Sequence, residues 1–509
     1  MAAISDIRHQ LWVLGLIRAM EAIAWTSIFP YAYFMIQSFK VSENDIAFYA
    51  GCLIAVYTLG EFLTAVTWAR VSDRIGRKPT LMLGSFCGLV TALSLGLSRS
   101  VAVAIVSRAF GGLCNPNVSL VQTCTGELAT KEQRAKAFSL ITFIRSLGNL
   151  VGPVLGGLLA NPAAEYPSIF PQNSLWTSYP FLLPNLVVGI LQALTFILTF
   201  LVLHETHPRM TGHSGPGPSV SCFPKGLRFW RGPVKDTAYA PLVNDDSAGL
   251  ENARQEHPPV GVQNSAGDSV RTSLDPDISE TNGRVKQTPK RAFTPQVVLQ
   301  IVAVSLLAFH KVGSDSLMST FLALESSTND EINGPSPRIA SFLHSRGGFG
   351  LNTSIIGIIF LTESIFRAAI QPTVVPWLIS KLGALSAFRW ILGLYPAMYI
   401  FTPFLPNIPS PFQFALLLPD LCIKVALSSV GYICSAVLIT NASPSSEALA
   451  RINGAAASFA CLARSVGPLL SGKLFAAGLS SGYLQIPFWT LGLVSLAGAV
   501  QSTFLADHC

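Results

Sequence analysis

The sequence predicts an all-α membrane protein with twelve transmembrane helices in two pseudo-symmetric six-helix bundles. Of its 509 residues, 50% are hydrophobic and only 12% are charged, whereas a soluble domain has about 25% charged residues. The apolar residues recur in long runs, and a helix needs about 20 largely apolar residues to cross a bilayer. Short motifs of the first half also recur in the second half. These three observations define the fold class.

Twelve apolar segments are long enough to cross a bilayer, six in each half of the chain. They are 11–37, 46–69, 80–97, 101–125, 137–160, 180–203, 295–323, 352–376, 384–404, 411–440, 448–477 and 484–506.

A long polar segment separates the two halves. Residues 204–293 are rich in Pro, Gly, Ser, Asn and Asp and contain few large apolar residues. Such a composition buries too little surface to offset the entropy cost of ordering the chain. We therefore expect an N-terminal bundle at 1–203, a disordered cytosolic linker at 204–293 and a C-terminal bundle at 294–509.

The charges of the short loops predict the orientation. Cations next to spans are retained on the cytoplasmic side, so the even-numbered loops, the linker and both termini are expected there. No decisive address signal distinguishes the plasma membrane from the vacuolar membrane. The net charge of +7 lies largely in such loops and does not indicate nucleic-acid binding. The even-numbered loops carry Arg70, Arg74, Arg77, Lys78, Lys131, Arg134, Lys136, Lys381, Arg389 and Arg451, and the odd-numbered loops carry Lys40, Arg99, Arg338 and Arg346.

Several kinds of chemistry lack a signal in the sequence. The nine cysteines are scattered, mostly within apolar segments, and no two form a CxxC pair. We therefore expect no disulfide framework, no metal site and no cofactor. No phosphate-binding loop for ATP and no nucleophile–base arrangement stands out. The chain is accordingly not expected to be an enzyme or to use ATP.

The loop between the second and third spans is the densest charge cluster. It holds four cations and one carboxylate between Arg70 and Lys78, and each ion would cost roughly 2.5–3.5 kcal/mol at the centre of a membrane helix. The loop is therefore a tight hairpin outside the bilayer. Gly76 permits the turn, and Asp73 is placed to cap a helix or to pair with a cation.

The fifth span carries a glycine pattern. Gly148, Gly152 and Gly156 recur every four residues, so they share one helix face and allow a neighbouring helix to approach closely. Pro153 removes a backbone donor and bends the helix, and Gly157 completes the motif. Ordinary small-residue packing would produce the same pattern. Gly467-Pro468 repeats the Gly-Pro step in the eleventh span.

Ionisable side chains interrupt several spans, where they are costly and usually face a cavity or a partner. Some lie three or four residues apart, so mutual neutralisation is the structural alternative to a functional role. The candidates for proton coupling or for lining a substrate cavity are Arg18, Glu21, Glu61, Arg108, His310, Asp315, Glu363, Asp420 and Lys424.

Together these motifs resemble the major facilitator superfamily. The ordered residues Asp73, Arg74, Gly76, Arg77, Lys78 and Pro79 are similar to its signature loop, which is degraded to Ser380-Lys381-Leu382-Gly383 in the second half. Gly148 to Gly157 resembles the fifth-helix motif of its proton-driven antiporters, and Arg108 resembles its fourth-helix arginine. The segments 18–31 and 57–62 resemble the zinc-induced-facilitator-like branch.

The resemblance implies the major facilitator fold and a monomeric secondary transporter of small molecules. Proton-coupled antiport by alternating access is the expected mechanism. The Asp73 loop would then act as a conformational latch, Arg108 would take part in proton transfer, and Glu21 is the best single candidate for the coupling proton. The expected partners are the lipid bilayer, protons and a small-molecule substrate. A non-transporting sensor, or a uniporter or symporter of the same fold, remains an alternative.

Overall fold

The computed structural model describes residues 2–129, 134–171, 174–206, 293–325, 347–409, 412–443 and 446–506, and over these ranges helices are joined by turns and loops without a β-strand. Twelve long helical segments correspond one to one to the predicted spans. They are α1 (Ala2–Thr26), α2 (Glu43–Ile75), α3 (Arg77–Gly96), α4 (Val101–Leu113 and Asn117–Leu128), α5 (Arg134–Leu159), α6 (Leu182–Val202), α7 (Pro295–Ala323), α8 (Thr353–Leu382), α9 (Ala384–Phe401), α10 (Phe412–Ala442), α11 (Ser446–Ser481) and α12 (Gln485–Ser502). Among the described residues, eight helices meet both the length and the hydropathy expected of a membrane span.

Two predicted spans are broken at prolines. The first was expected to run unbroken over 11–37, but α1 ends at Thr26 and a short helix follows at Ala32–Ser38. The fourth was expected to run over 101–125, but α4 is interrupted between Leu113 and Asn117. Pro30 and Pro116 lie at these breaks. Proline has no backbone N–H, and it disfavours helical geometry in the residue before it.

The two halves repeat the same helix pairs. Helix α1 packs on α5 as α7 packs on α11, α3 packs on α6 as α9 packs on α12, and α2 packs on α4 as α8 packs on α10. The halves meet through α2 with α11 and through α5 with α8, which are equivalent pairs under the same repeat. The division of the chain into two bundles at these boundaries remains a prediction. The predicted linker, apart from its first three residues and its last, lies outside the described residues.

The glycines of α5 lie against α1, as their four-residue spacing predicts. A Cβ atom built on Gly148 would lie 2.9 Å from the Cα atom of Ala19, and one on Gly156 would collide with the backbone carbonyl of Ser27. Gly157 instead faces α8, where its Cβ would lie 2.6 Å from the Cα atom of Gly357. Only glycine allows these backbones to approach so closely.

The close contacts between the halves lie toward the helix ends that are remote from the Asp73 loop. Gly51 of α2 lies against the backbone carbonyl of Pro468 in α11, and Gly472 of α11 lies against Ala47. The Gly157–Gly357 approach lies near the end of α5 and the start of α8. Backbone contact therefore joins the two halves at this end of the molecule.

Candidate functional site

A buried ion pair lies within α1. Arg18 Nη1 donates a hydrogen bond of 2.7 Å to Glu21 Oε2, and the two side chains are 2% and 12% exposed. Their three-residue spacing places both on one helix face. The two opposite charges compensate each other, so breaking this pair is expected to be destabilising.

The second acidic group of this half, Glu61 of α2, is held differently. Asn115, which lies in the break of α4, donates through Nδ2 to Glu61 Oε1 at 2.7 Å and to the Tyr57 hydroxyl at 3.1 Å. The charge of Glu61 interacts with those of Glu21 and of Arg464, which belongs to the other half. Among the described residues, Glu61 makes no ion pair within 4 Å.

Arg108 is buried at 3% exposure in the first segment of α4. Its guanidinium carbon lies 4.4 Å from the ring centre of Tyr57 and 5.7 Å from that of Trp25. Its Nε donates to the backbone carbonyl of Leu53 at 3.1 Å. Aromatic faces and one carbonyl therefore hold this cation, and no carboxylate of the described part of the chain lies in ion-pair contact with it.

In the second half, α7 and α8 bring three charged groups together. Lys311 Nζ lies 2.5 Å from Asp315 Oδ1. Glu363 of α8 interacts electrostatically with both residues. Arg367 lies four residues after Glu363 on the same helix, but no ion pair joins the two in the described structure. Glu363 interacts with the charges of α7 as well as with Arg367 and with Lys424 of α10, so helical spacing alone did not decide its surroundings.

Asp420 and Lys424 of α10 form a closed network. Lys424 Nζ lies 2.8 Å from Asp420 Oδ2. The Thr402 hydroxyl donates to the same carboxylate oxygen at 3.1 Å and also contacts the Lys424 ammonium group. All three residues are buried. Both charges are thus compensated within the C-terminal half, which is the structural alternative for this pair.

His310 is packed among tyrosines. Its ring centre lies 4.6 Å from that of Tyr395 and 5.7 Å from that of Tyr399. Nδ1 of His310 lies 3.0 Å from the Tyr399 hydroxyl, and that hydroxyl donates to the His310 carbonyl at 3.1 Å. The side chain is fully buried. These contacts favour a packing role for His310.

The signature loop contains a charge network. Arg77 Nη1 lies 2.7 Å from Asp73 Oδ1, and Arg77 Nη2 lies 3.1 Å from Glu127 Oε1 of α4. Gly76 adopts a φ of +103°, which favours glycine. Arg74 is exposed, and Pro79 lies in the first turn of α3. Asp73 therefore pairs with a cation, one of its two predicted roles.

Sequence reasoning missed several polar residues of these clusters. Glu127, Glu205, Asn115 and Thr402 contact predicted residues, but each does so across more than ten positions of the chain. Asn115 precedes a proline inside an apolar segment, a signal that could have identified the break and its polar side chain.

These features define an integral membrane transporter: repeated bundles, charged residues within the spans and glycine-mediated contacts between the halves. The chain belongs to the Major Facilitator Superfamily, whose sequence model matches residues 14–327. The "Major facilitator superfamily multidrug transporter mfsB" of Aspergillus fumigatus is 35% identical over 518 residues, covering 98% of this chain and 83% of that protein. "Protein ZINC INDUCED FACILITATOR 1" of Arabidopsis thaliana is 25% identical over 503 residues, covering 97% of this chain and 90% of that protein.

A solved structure supports the fold. That of a D-xylose-proton symporter aligns with a TM-score of 0.63 and 13% identity, covering 99% of this chain and 98% of that chain. This similarity shows the shared fold alone. The predicted family, its zinc-induced-facilitator-like branch and the twelve-helix fold class are thus confirmed. The protein is a multi-pass membrane transporter of small molecules and not an enzyme.

Proposed function

We propose that this protein exports small organic molecules, or their metal chelates, in exchange for protons. One observation carries the proposal: each half holds a carboxylate inside a span without an ion-pair partner in the described structure. These are Glu61 of α2 and Glu363 of α8, and the two helices occupy equivalent positions in the repeat. Protonating one member of a buried ion pair leaves the partner cation without its counter-charge, which is costly. A carboxylate without an ion-pair partner can gain or lose a proton without this cost.

Glu21 remains a candidate for proton coupling because it interacts with Glu61. Its charge interacts with that of Glu61, so a proton bound at one carboxylate changes the energy of a proton at the other. The Arg18–Glu21 pair and Glu61 then act as one cluster on the α1–α2 side. Glu61 also interacts electrostatically with Arg464 of the other half. A movement of the two halves relative to each other would therefore alter the proton affinity of the cluster.

The direction and the substrate class follow from similarity and charge. The 35% identical relative is described as a multidrug transporter, which supports efflux of organic molecules. The acidic and basic groups of the spans allow zwitterions, weak acids, organic cations or chelates as cargo. Alternating access would proceed by rocking of the two bundles about this region, with the Asp73–Arg77–Glu127 network as a latch at one end.

We further propose that the protein acts as a monomer in the plasma or vacuolar membrane, with both termini and the Asp73 loop in the cytoplasm. The cations Arg70, Arg74, Arg77 and Lys78 beside the described spans support this orientation.

The experiment is transport in proteoliposomes with an imposed pH gradient, using a panel of labelled organic cations, weak acids and chelates. Wild type is expected to concentrate at least one cargo, whereas Glu61→Gln should equilibrate it without concentrating it. Glu43→Gln is the matched control because Glu43 lies exposed at the start of the same helix.

Other outcomes would contradict the proposal. Uphill transport at the wild-type rate by both Glu61→Gln and Glu363→Gln would remove these carboxylates from coupling. A transport rate that is independent of the pH gradient would indicate a uniporter. Accumulation of cargo on the side toward which protons flow would indicate a symporter. Absence of transport for the whole panel by a folded protein would favour a sensor.

A further inference from the structure

Two free cysteines lie beside each other where α3 packs on α4. Cys87 lies near the middle of α3, and Cys114 lies in the break of α4. The two thiols interact with each other through a side-chain hydrogen bond, and we call them the Cys87–Cys114 pair. No other cysteine of the described residues interacts with a second thiol.

Close helix contacts on both sides hold the pair together. A Cβ atom built on Gly84 of α3 would lie 2.7 Å from Cδ of Pro116, and one on Gly111 of α4 would lie 2.6 Å from Cγ2 of Thr91. These contacts run in opposite directions along the two helices. Cys87 lies between Gly84 and Thr91 on the same helix face, so it comes opposite the cysteine in the break of α4. Backbone packing therefore sets the pairing of the two thiols.

The pair lies at the lipid-facing edge of this helix contact. Cys87 is 8% exposed, and Cys114 is partly exposed. Their neighbours in sequence, Phe86 and Leu113, are 49% and 40% exposed, and apolar side chains exposed on a membrane span face the lipid. A neutral, lipid-soluble molecule can therefore reach the pair from the bilayer, whereas the cost of bringing an ion into hydrocarbon opposes a charged one.

The surroundings of the pair select the kind of ligand. Sulfur is a soft ligand and favours soft elements. Structural zinc takes four protein ligands, and the described part of the chain holds no group of three or more His, Cys, Asp or Glu side chains that could bind a metal. The site therefore suits an element that is satisfied by two bonds to cysteine sulfur.

The contact between the thiols and their place in the membrane narrow the choice further. A metal ion with two ligands in a line would force the sulfur atoms to opposite sides, whereas trivalent arsenic is pyramidal and bonds two neighbouring sulfur atoms. The product with an organic arsenical is also neutral, which a membrane span favours.

We propose that the Cys87–Cys114 pair binds trivalent arsenicals through two arsenic–sulfur bonds. With an organic arsenic(III) oxide, both S–H bonds break, each sulfur forms one bond to arsenic, and the two protons leave with the oxide oxygen as one water molecule. Arsenic stays trivalent, so the reaction needs no oxidant or reductant. The bridge would hold the break of α4, whose Asn115 contacts Glu61, against α3. This assignment does not depend on the proposed proton exchange, because binding is measurable without any gradient.

The test measures the arsenic that the purified full-length protein retains after treatment with phenylarsine oxide. The protein is first reduced with a phosphine, which is removed before the reagent is added. An excess of the monothiol 2-mercaptoethanol then strips arsenic from single cysteines, whereas a chelate with two sulfur atoms is released only by a dithiol such as 2,3-dimercaptopropanol. Wild type is expected to retain one arsenic per chain through the monothiol wash and to lose it to the dithiol.

Peptide mapping of the treated wild type provides a readout that needs no variant. The arsenical is expected to join the peptide that contains Cys87 to the peptide that contains Cys114. A bridge between other cysteines would overturn the proposal, and so would loss of all arsenic in the monothiol wash.

Conservative variants locate the site. Cys87→Ser and Cys114→Ser each remove one sulfur atom with little change in shape, so the retained arsenic should fall to the level left after the dithiol wash. Cys434→Ser is the matched control, because Cys434 is a buried cysteine of α10 that interacts with no second thiol of the described residues, and it should retain arsenic as wild type does. Gel filtration confirms that each variant is folded. Wild-type retention in both folded variants of the pair would overturn the proposal.

Discussion

The carboxylate of Glu205 caps helix α3. Its Oε1 accepts a hydrogen bond of 2.9 Å from the backbone N–H of Arg77, and its Oε2 accepts one of 3.1 Å from that of Lys78. The first N–H groups of a helix have no partner within the helix, and they favour a negative charge. Glu205 follows α6, so this contact ties the end of the sixth span to the signature loop.

The beginning of the predicted linker is therefore part of the N-terminal bundle. Thr206 Oγ1 donates to Glu127 Oε2 at 2.9 Å, and the His204 ring contacts the Gln10 side chain at 2.9 Å. Glu205 and Thr206 therefore contact members of the Asp73–Arg77–Glu127 network. A movement of the signature loop would thus be transmitted to the chain that leaves α6.

We expect Glu205→Gln to lower stability. The amide still fits the space but loses the charge that complements the helix terminus, and capping groups of this kind contribute roughly 0.5–2 kcal/mol. Thermal unfolding of the purified protein should shift to lower temperature. Glu165→Gln, in the connection between α5 and α6, serves as the control and should leave the transition in place. An unchanged transition in Glu205→Gln would show that the cap does not contribute.

Changes at the latch should impair transport and leave membrane insertion intact. Asp73→Asn weakens the 2.7 Å contact with Arg77; a hydrogen bond between charged groups contributes roughly 1.5–3 kcal/mol, so the transport rate should fall about tenfold or more. Gly76→Val should act similarly, because its Cβ would meet the Glu205 carboxylate at a φ that valine does not favour.

The measurement compares transport per inserted molecule, using a fluorescent fusion to quantify protein at the membrane. Arg74→Gln is the control, since Arg74 is exposed in the same loop. Wild-type rates in both Asp73→Asn and Gly76→Val would contradict the latch.

The α1–α5 contact should be sensitive to a single methyl group. In Gly156→Ala the added Cβ would collide with the Ser27 carbonyl, and such overpacking costs roughly 1–3 kcal/mol. In Gly393→Ala nothing lies within 4 Å of the added atom, so the better helix propensity of alanine should stabilise α9 by up to about 1 kcal/mol. The thermal transition is expected to shift to lower temperature in Gly156→Ala and to higher temperature in Gly393→Ala. The same shift in both variants would mean that α1 and α5 can move apart without a cost in stability.

Deletion of about 60 residues within 215–280 should leave an inserted and active protein. The composition of this segment offers too few apolar residues to form a core. The deletion spares residues 204–206, whose contacts hold the end of α6 in place. Surface expression and transport are the measurements. Normal expression with loss of all transport would assign the linker a regulatory or signalling role.

Local chemistry made the helices predictable, but tertiary contacts decided their breaks and polar partners. The length of the apolar segments located each long helix of the described residues. The charges of the Asp73 loop indicated a turn, and the glycine spacing in α5 indicated a packed helix face. Pro30 and Pro116 were visible, yet the apolar runs around them suggested continuous spans. Glu363 and Arg367 have the spacing of an ion pair but form none in the described structure, and Glu363 also interacts with charges of α7 that helical spacing does not reveal.

The roles of Glu21 and Glu61 can be separated by matched substitutions. Glu21 is bound to Arg18 at 2.7 Å, whereas Glu61 accepts a hydrogen bond from Asn115. Glu21→Gln keeps the shape and a hydrogen-bonding group but removes the proton site and breaks the ion pair with Arg18. If Glu21 carries the coupling proton, this variant should reach the membrane and bind cargo, yet fail to concentrate it under a pH gradient.

The double variant Arg18→Gln with Glu21→Gln distinguishes coupling from structural support. It removes both charges of the pair, so a purely structural defect caused by breaking the ion pair should be relieved. Recovery of uphill transport in the double variant would show that the pair only supports folding, and coupling would then rest on Glu61 and Glu363. Continued loss of uphill transport, with cargo equilibration and thermal stability restored, is the outcome expected if Glu21 itself exchanges the proton.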